Sequence, residues 1–197
     1  MRIFLFSDVH NDKKTLENVL VQDAEYVVCA GDLVSWGRGL DACGEILQPL
    51  GERLLVLPGN HESIADIDTF CERFGFQPVH GKQLKIGGFA FAFLGYSNPT
   101  PFDTPGEYSE AEFARHLNAF REAPPEVLVC HCPPYGTGLD QMRAGGHAGS
   151  TAIREFIDAV QPRWFFSGHI HETEGVQTQI GFTTGRNPGR RGFLLEL

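Results

Sequence analysis

The chain has 197 residues, a hydrophobic content of 42% and a formal net charge of -9 at pH 7. This length is sufficient for one buried core and predicts a single domain over residues 1–197. The acidic balance argues against a long nucleic acid as partner, because proteins that bind nucleic acids usually present a basic face to the phosphates. No apolar stretch is long enough for a membrane span or for the core of a signal peptide, so we expect no membrane partner and a cytoplasmic location.

The chain contains five cysteines, which are Cys29, Cys43, Cys71, Cys130 and Cys132. Their number is odd and no two of them form a CxxC pair. Neither a disulfide framework nor a cysteine zinc site is therefore predicted, and we expect reduced thiols in the core.

The first half of the chain predicts strands that alternate with helices. The strands are expected at residues 2–6, 26–30 and 53–57, and the helices near 12–21, 40–49 and 63–75. Short runs of Val, Leu, Ile and Phe that end at Gly or Pro are typical of strands buried on both faces. The helix at 63–75 has its apolar residues at helical spacing, and Ser63 is a suitable N-cap. This order of elements predicts βαβ units.

The second half adds antiparallel pairing, because residues 84–95 read as a hairpin around Gly87 and Gly88. Further helices are expected near 109–122 and 150–160, and further strands at 126–130, 163–166, 175–180, 181–185 and 191–197. Two long loops, 96–108 and 132–149, are rich in Pro or Gly and suggest a role at the mouth of a site. The whole predicts an α/β fold in which two mixed sheets pack face to face with helices outside.

Five of the apolar runs end in side chains that commonly bind metal ions. They are followed by Asp8 and His10, by Asp32, by Asn60 and His61, by His131, and by His169 and His171. The end of a buried strand is where an α/β protein presents its reactive groups. Carboxylates, imidazoles and an amide at five strand ends therefore predict a metal centre.

Spacing predicts which of these side chains face the same way. In an extended chain, residues two apart share a side at a distance of roughly 6.5 to 7 Å. Asp8 and His10 should thus converge, and so should His169 and His171. Adjacent side chains point apart, so one of the pair Asn60-His61 is expected to bind metal while the other faces something else, such as a substrate.

Each motif alone is weak, because Asp or Gly after a strand is usually part of a turn. Together, and in this order, they resemble the calcineurin-like metallophosphoesterase superfamily, whose pattern is DxH, GD, GNH[DE], a later His and GHxH. The matching residues are Asp8-Val9-His10, Gly31-Asp32, Gly59-Asn60-His61-Glu62, His131 and Gly168-His169-Ile170-His171. The resemblance spans nearly the whole chain and implies a four-layer αββα sandwich.

The resemblance also implies a dinuclear centre with a bridging hydroxide. One metal would be held by Asp8, His10, Asp32 and His171, and the other by Asp32, Asn60, His131 and His169. His61 would be catalytic and not a ligand. Nitrogen and oxygen ligands without thiolate suit Mn, Fe, Zn, Co or Ni as the two divalent ions. Two such ions outweigh the two carboxylates and the hydroxide, so the centre attracts a phosphodiester monoanion despite the acidic protein.

The pattern departs from that of the protein phosphatases of the superfamily, which carry GDxxDRG where this chain reads Gly31-Asp32-Leu33-Val34-Ser35-Trp36-Gly37. The chain looks most like small bacterial and archaeal phosphodiesterases, so we expect hydrolysis of small phosphodiesters. A phosphomonoesterase with the same centre and a non-catalytic protein-binding scaffold are the alternatives. Tyr135 and His147, in the loop after His131, are candidate substrate-binding residues.

Overall fold

The computed structural model describes residues 1–197, which form eleven strands and five α-helices. The strands are β1 (Arg2–Phe6), β2 (Tyr26–Cys29), β3 (Leu54–Val56), β4 (Gln77–Pro78), β5 (Gln83–Ile86), β6 (Phe89–Leu94), β7 (Val127–Cys130), β8 (Trp164–Phe166), β9 (Gln177–Ile180), β10 (Thr183–Arg186) and β11 (Phe193–Glu196). The helices are α1 (Lys13–Leu20), α2 (Leu40–Leu47), α3 (Ile64–Phe74), α4 (Glu110–Ala119) and α5 (Thr151–Val160).

The strands form two mixed sheets, as predicted. The first has the order β11-β1-β2-β3-β4, in which only β11 is antiparallel to its neighbour. The second has the order β5-β6-β7-β8-β10-β9, with antiparallel strands at its two edges and parallel pairing between them. The predicted hairpin is confirmed as β5 and β6, and both residues of its turn, Gly87 and Gly88, have the positive φ that a tight hairpin turn requires.

Three apolar clusters show how the layers stack. In β1, Ile3 and Leu5 face a cluster shared by both sheets, whereas Phe4 and Phe6 face a cluster with the helices α1, α2 and α3. A third cluster lies between the second sheet and the helices α4 and α5. Alternation along strands that are buried on both faces therefore produces four layers, and the predicted αββα sandwich is confirmed.

Two local features differ from the sequence prediction. The helix expected near 40–49 ends at Leu47 and is followed by two short 3₁₀ turns within Gln48–Arg53, separated by a kink at Gly51. Pro49 has no N–H to donate to a longer α-helix. The strand β4 has only two residues, which is too short to produce a periodic pattern. The N-cap at Ser63 is confirmed, and it forms a capping box with Asp66.

All five cysteines are buried and unpaired, in agreement with the prediction of core thiols. Cys130 and Cys132 belong to the cluster beneath α4 and α5. Among the helices, none has the length and apolar character needed to cross a membrane.

The predicted ligands follow neighbouring parallel strands in both sheets. In the first sheet they come after β1, β2 and β3, and in the second sheet after β7 and β8. Backbone hydrogen bonds join these strand ends, since Asp8 N donates to Gly31 O at 3.1 Å and Gly168 N donates to His131 O at 3.0 Å. The carboxyl ends of strands from both sheets thus meet at one edge of the sandwich.

Candidate metal centre

The structure brings all seven predicted metal ligands to this edge. Possible ligand atoms lie within 4.8 Å of one another in three groups, which are Asp8 with His10 and His171, Asp32 with His131 and His169, and His10 with Asp32 and His61. Asn60 joins the second group, because its Oδ1 lies 2.9 Å from His169 Nδ1 and 3.2 Å from His131 Nε2. The first two groups each contain ligands that the resemblance assigns to one metal, and Asp32 lies between them.

The backbone leaves the strands through left-handed turns. Asp8, His10, Asp32 and His169 have φ values of 56°, 48°, 55° and 68°. Such values are uncommon outside glycine and concentrate at functional sites. The extended backbone assumed from the sequence is therefore wrong at these positions. Asp8 and His10 still share a group, but His169 and the neighbouring His171 lie in different groups.

Three glycines allow the strand ends to come this close. A Cβ on Gly31 would lie 2.7 Å from the Cα of Gly59, and one on Gly59 would lie 2.5 Å from Asp32 N. A Cβ on Gly168 would lie 2.6 Å from Asp8 Oδ2. Only glycine fits at these contacts, which explains why a Gly precedes Asp32, Asn60 and His169.

Glu62 is completely buried and holds two of the strand ends together. Its carboxylate accepts hydrogen bonds from Asp32 N at 3.1 Å, Val34 N at 2.9 Å and Gly59 N at 2.8 Å. Burial, together with the nearby charge of Asp32, raises the pKa of Glu62 to about 8. Because both oxygens bind backbone N–H groups, Glu62 positions the turns after β2 and β3.

The orientation of His131 shows whether these residues are arranged to bind a metal ion. Its Nδ1 lies 2.9 Å from the carbonyl oxygen of Ala30 and donates to it, so the Nε2 lone pair faces Asp32 Oδ2 at 3.3 Å and Asn60 Oδ1 at 3.2 Å. Asn60 Nδ2 donates to Thr104 Oγ1 at 3.1 Å, which leaves Asn60 Oδ1 as an acceptor. Three lone-pair donors converge where only a cation satisfies them. The residues fit a divalent ion.

The pKa values of the second group also indicate that the buried Asp32 requires a positive charge beside it. Burial alone would lower the pKa of His131, but the charge and hydrogen bond of Asp32, the charge of Asp8 and the hydrogen bond to Ala30 together outweigh burial and raise it to about 9. Burial would raise the pKa of Asp32, but the charge and hydrogen bond of His131, the charge of His10 and the hydrogen bond from His61 N together lower it. Burial and the charge of His131 lower the pKa of His169 to about 4. A proton on His131 therefore serves as the cation when no metal is bound.

The first group shows a weaker form of the same pattern. A hydrogen bond to Asp8 raises the pKa of His171, whereas burial lowers the pKa of His10. The Nε2 atoms of the two imidazoles lie 3.1 Å apart, and His10 Nδ1 lies 3.1 Å from Ser35 Oγ. These imidazole nitrogens point to a common position beside Asp8.

His61 is held in an orientation that differs from that of the ligands. The backbone N–H of Trp36 donates to His61 Nδ1 at 3.3 Å, so a neutral His61 carries its proton on Nε2. Its ring stands edge-on to His10, with ring centroids 5.0 Å apart. His61 and Asn60 both line the cavity at the centre, so they do not point fully apart as the spacing suggested. Trp36, which was not a candidate from the sequence, therefore fixes the tautomer of His61.

The two candidate substrate residues lie outside this cavity. His147 Nδ1 is 2.7 Å from Asp140 Oδ1, and Tyr135 packs edge-on against the His147 ring at 5.7 Å. The buried Asp140 also accepts hydrogen bonds from the backbone of Gly136 and Gly149. The contacts of Tyr135 and His147 are therefore with residues of their own loop 132–149, which they stabilise.

The cavity has a volume of about 520 Å³ and opens between the two long loops. The ligands Asp32, Asn60, His169 and His171 form its floor with His61. Its walls contain residues that the sequence analysis did not single out, namely Asn98, Pro99, Thr100, Pro101, Phe102, Met142, Ala148 and Ile170. The length and composition of loops 96–108 and 132–149 were the only signal for them.

The loop 96–108 also supports a ligand. Glu107 accepts hydrogen bonds from Thr100 Oγ1 at 2.7 Å and from Thr104 Oγ1 at 2.6 Å. The same Thr104 hydroxyl accepts from Asn60 Nδ2. Glu107 therefore fixes the hydroxyl that orients the Asn60 amide.

We expect Thr104→Val to weaken metal binding about 10- to 100-fold, because the Asn60 amide loses the partner that directs its oxygen toward the metal. Competition with a chelator of known affinity measures this change. Thr100→Val is the matched control, since it removes one hydrogen bond to Glu107 but leaves Asn60 its acceptor. An equal loss of affinity in both variants would contradict the role assigned to Thr104.

We expect the affinity for divalent metal to rise with pH over the range from about 6 to 9. The raised pKa of His131 means that its Nε2 carries a proton below pH of about 9, and metal must displace that proton. The affinity should increase about tenfold per pH unit for each proton released. Titration calorimetry in two buffers of different ionisation enthalpy counts these protons, and a pH-independent affinity would contradict the prediction.

Comparison with known proteins places the chain in a family. A model described as calcineurin-like phosphoesterase matches residues 1–173. An uncharacterised protein of Methanocaldococcus jannaschii is 31% identical over 205 residues, covering 99% of this chain and 91% of that protein. A UPF0046 protein of Caenorhabditis elegans is 24% identical over 198 residues, covering 89% of this chain and 65% of that protein.

Solved structures show the same fold. The protein TT1561 of Thermus thermophilus has a TM-score of 0.71 and 17% identity, over 95% of this chain and 88% of that one. The phosphopantetheinyl hydrolase PptH of Mycobacterium tuberculosis has a TM-score of 0.63 and 16% identity, with the same coverage of 95% and 88%. At these identities the likeness concerns the fold alone. The family model, which covers most of the chain and every predicted ligand, shows that the chain belongs to the calcineurin-like phosphoesterase family.

Proposed function

We propose that the protein is a metal-dependent phosphodiesterase that hydrolyses small phosphodiesters at a dinuclear centre. The observation that carries this proposal is a complete nitrogen and oxygen ligand set around Asp32, with His61 beside it in the lining of the same cavity. Family membership supports a hydrolase that acts on phosphoesters. The phosphodiester substrate and the two-metal arrangement are our inference.

Asp32 is the residue that would be shared by both ions. Asp8, His10 and His171 would complete one position, and Asn60, His131 and His169 the other, and the groups described above support this division. Two divalent ions at such a centre act as Lewis acids and lower the pKa of a bound water. With that chemistry supplied, no side chain of the protein is required as nucleophile.

His61 is the residue that would handle a proton. Trp36 N–H occupies His61 Nδ1, so a neutral His61 carries its proton on Nε2, and the residue lines the cavity. An N–H at this position can donate to a phosphoryl oxygen or to the leaving oxygen, where negative charge develops. The same tautomer has no lone pair on Nε2, which favours a donor over a metal ligand.

The charge of the cavity favours diesters over monoesters. No Lys or Arg is among the residues that line it, so the metals supply all of the positive charge there. A diester monoanion needs less compensation than a monoester dianion. A phosphomonoesterase remains the second candidate because the same ligand set serves both reactions. The complete ligand set gives no support to a non-catalytic protein-binding scaffold. Metal analysis showing less than one ion per chain would favour the scaffold over the enzyme.

The proposed partner is a small phosphorylated molecule, in keeping with a cavity of about 520 Å³ and an acidic chain. We also propose a cytoplasmic location. Five buried, unpaired thiols support a reducing compartment.

The first test is hydrolysis of bis(p-nitrophenyl) phosphate by the full chain, with and without added Mn²⁺. We expect turnover that requires the metal and stops when a chelator removes it, because no protein nucleophile replaces the metals. Release of p-nitrophenolate measures the rate. Absence of metal-stimulated turnover of this diester and of p-nitrophenyl phosphate would overturn the proposed function.

The second test is His61→Ala. We expect kcat to fall by about 10²- to 10⁴-fold, the usual contribution of a positioned proton donor, with the metal content unchanged. Activity and elemental analysis of the same preparation separate these effects. His116→Ala, on α4 and outside the cavity, is the control for loss of a histidine. Loss of metal in His61→Ala would instead make His61 a ligand.

A further inference from the structure

We infer that the substrate carries a single phosphate and, beyond it, an uncharged apolar group about the size of an aromatic ring, which packs against Phe102 and Met142. This inference rests on the proposed function and specifies the substrate class of the same site.

Two large apolar side chains stand exposed on the wall of the cavity. Phe102 is 71% exposed and Met142 is 37% exposed, and each comes from a different long loop. Exposed apolar side chains scattered singly are common, but two of them on opposite loops of one cavity mark a binding surface. Pro99 and Pro101 extend the apolar wall next to Phe102. A polar or hydrated group would leave this surface without a partner.

The segment that carries Phe102 is anchored. Phe102 N donates to Thr100 Oγ1 at 3.2 Å, and the same hydroxyl donates to Glu107 at 2.7 Å. Prolines at 99 and 101 restrict the backbone on the near side of Phe102. The ring is thus presented on a prearranged loop, which reduces the entropy lost when a ligand packs on it.

The same loop connects the apolar wall to the metal ligands. Glu107 binds Thr100, which supports Phe102, and also Thr104, which orients Asn60. One carboxylate therefore sets the position of a ligand on the cavity floor and of an aromatic ring on its wall. A phosphate bound on that floor and a group packed on Phe102 would therefore lie in one cavity, as parts of one substrate can.

Charge limits the rest of the substrate. The lining residues include Asp32 but no Lys or Arg, and the chain has a net charge of -9. Arg143, which follows Met142, lines the adjacent cavity instead. A second phosphate would meet no compensating charge here, so a polyphosphate or a doubly phosphorylated substrate fits poorly.

The volume agrees with a small diester. A cavity of about 520 Å³ falls within the range of roughly 300 to 1,000 Å³ that is typical of sites for small molecules. One phosphate and one ring-sized group fit within such a space.

The experiment compares p-nitrophenyl diesters that share one leaving group and differ in the second ester, which is methyl, phenyl, or phenyl bearing a remote phosphate. Each kcat/KM is divided by the rate of alkaline hydrolysis of the same ester, which removes intrinsic reactivity. We expect a preference for phenyl over methyl of about tenfold from the apolar contact, and a lower kcat/KM when the remote phosphate is present.

The variant Phe102→Ala should reduce the preference for phenyl over methyl about three- to tenfold, chiefly through KM, because the lost contact is with the ring. Met142→Ala should reduce it in the same direction. Phe182→Ala is the matched control, since Phe182 is 88% exposed and does not line the cavity, and it should leave the preference unchanged.

The outcomes separate this inference from the proposed function. If no diester or monoester is hydrolysed, both fail. If diesters are hydrolysed but phenyl and methyl are equivalent, or if Phe102→Ala retains the full preference, the inference alone is overturned. A remote phosphate that increases kcat/KM would also overturn it.

Discussion

The candidate metal centre depends on the buried carboxylate of Asp32, whose negative charge is balanced by a histidine. Asp32 is almost fully buried, and its Oδ2 lies 3.3 Å from His131 Nε2, in a direction fixed by the hydrogen bond from His131 Nδ1 to Ala30. A carboxylate in such a place requires a cation within a few ångströms. A proton on His131 provides that charge in the absence of metal, and a divalent ion held by these residues would provide it in place of the proton. The demand of Asp32 for positive charge therefore organises the site.

Packing of the two sheets brings the positively charged partner of Asp32 to it, because the strand ends of both sheets meet at the centre. Asp32 follows a strand of the first sheet and His131 follows a strand of the second, so the centre forms only when the sheets pack. Glycines at positions 31 and 59 permit the close approach of the two strand ends. The buried carboxylate of Glu62 accepts hydrogen bonds from the backbone N–H groups of both turns. Packing between the layers thus supports the left-handed turns that carry the ligands.

The loop 96–108 connects the apolar wall of the cavity with the candidate metal ligand Asn60. Glu107 reaches Asn60 through Thr104 and reaches Phe102 through Thr100. Because these contacts are hydrogen bonds to a single carboxylate, a change in this loop alters both the floor and the wall of the cavity. In a family that uses a common ligand set, such a loop is where one chain can differ from another in the group it accepts.

The sequence by itself determined every strand except β4, the two mixed sheets and the candidate ligands, because buried strands and metal-binding side chains leave local patterns of apolar runs followed by Asp, Asn and His. The division of the ligands between two metals came from the resemblance to the family and not from spacing, since the backbone at Asp8 and His169 is left-handed where an extended chain was assumed. The sequence did not indicate that Tyr135 and His147 lie outside the cavity, and it indicated the loop 96–108 without singling out Phe102 as the exposed side chain on the cavity wall. Those positions follow from contacts between residues far apart in the chain, which only the packed tertiary structure brings together.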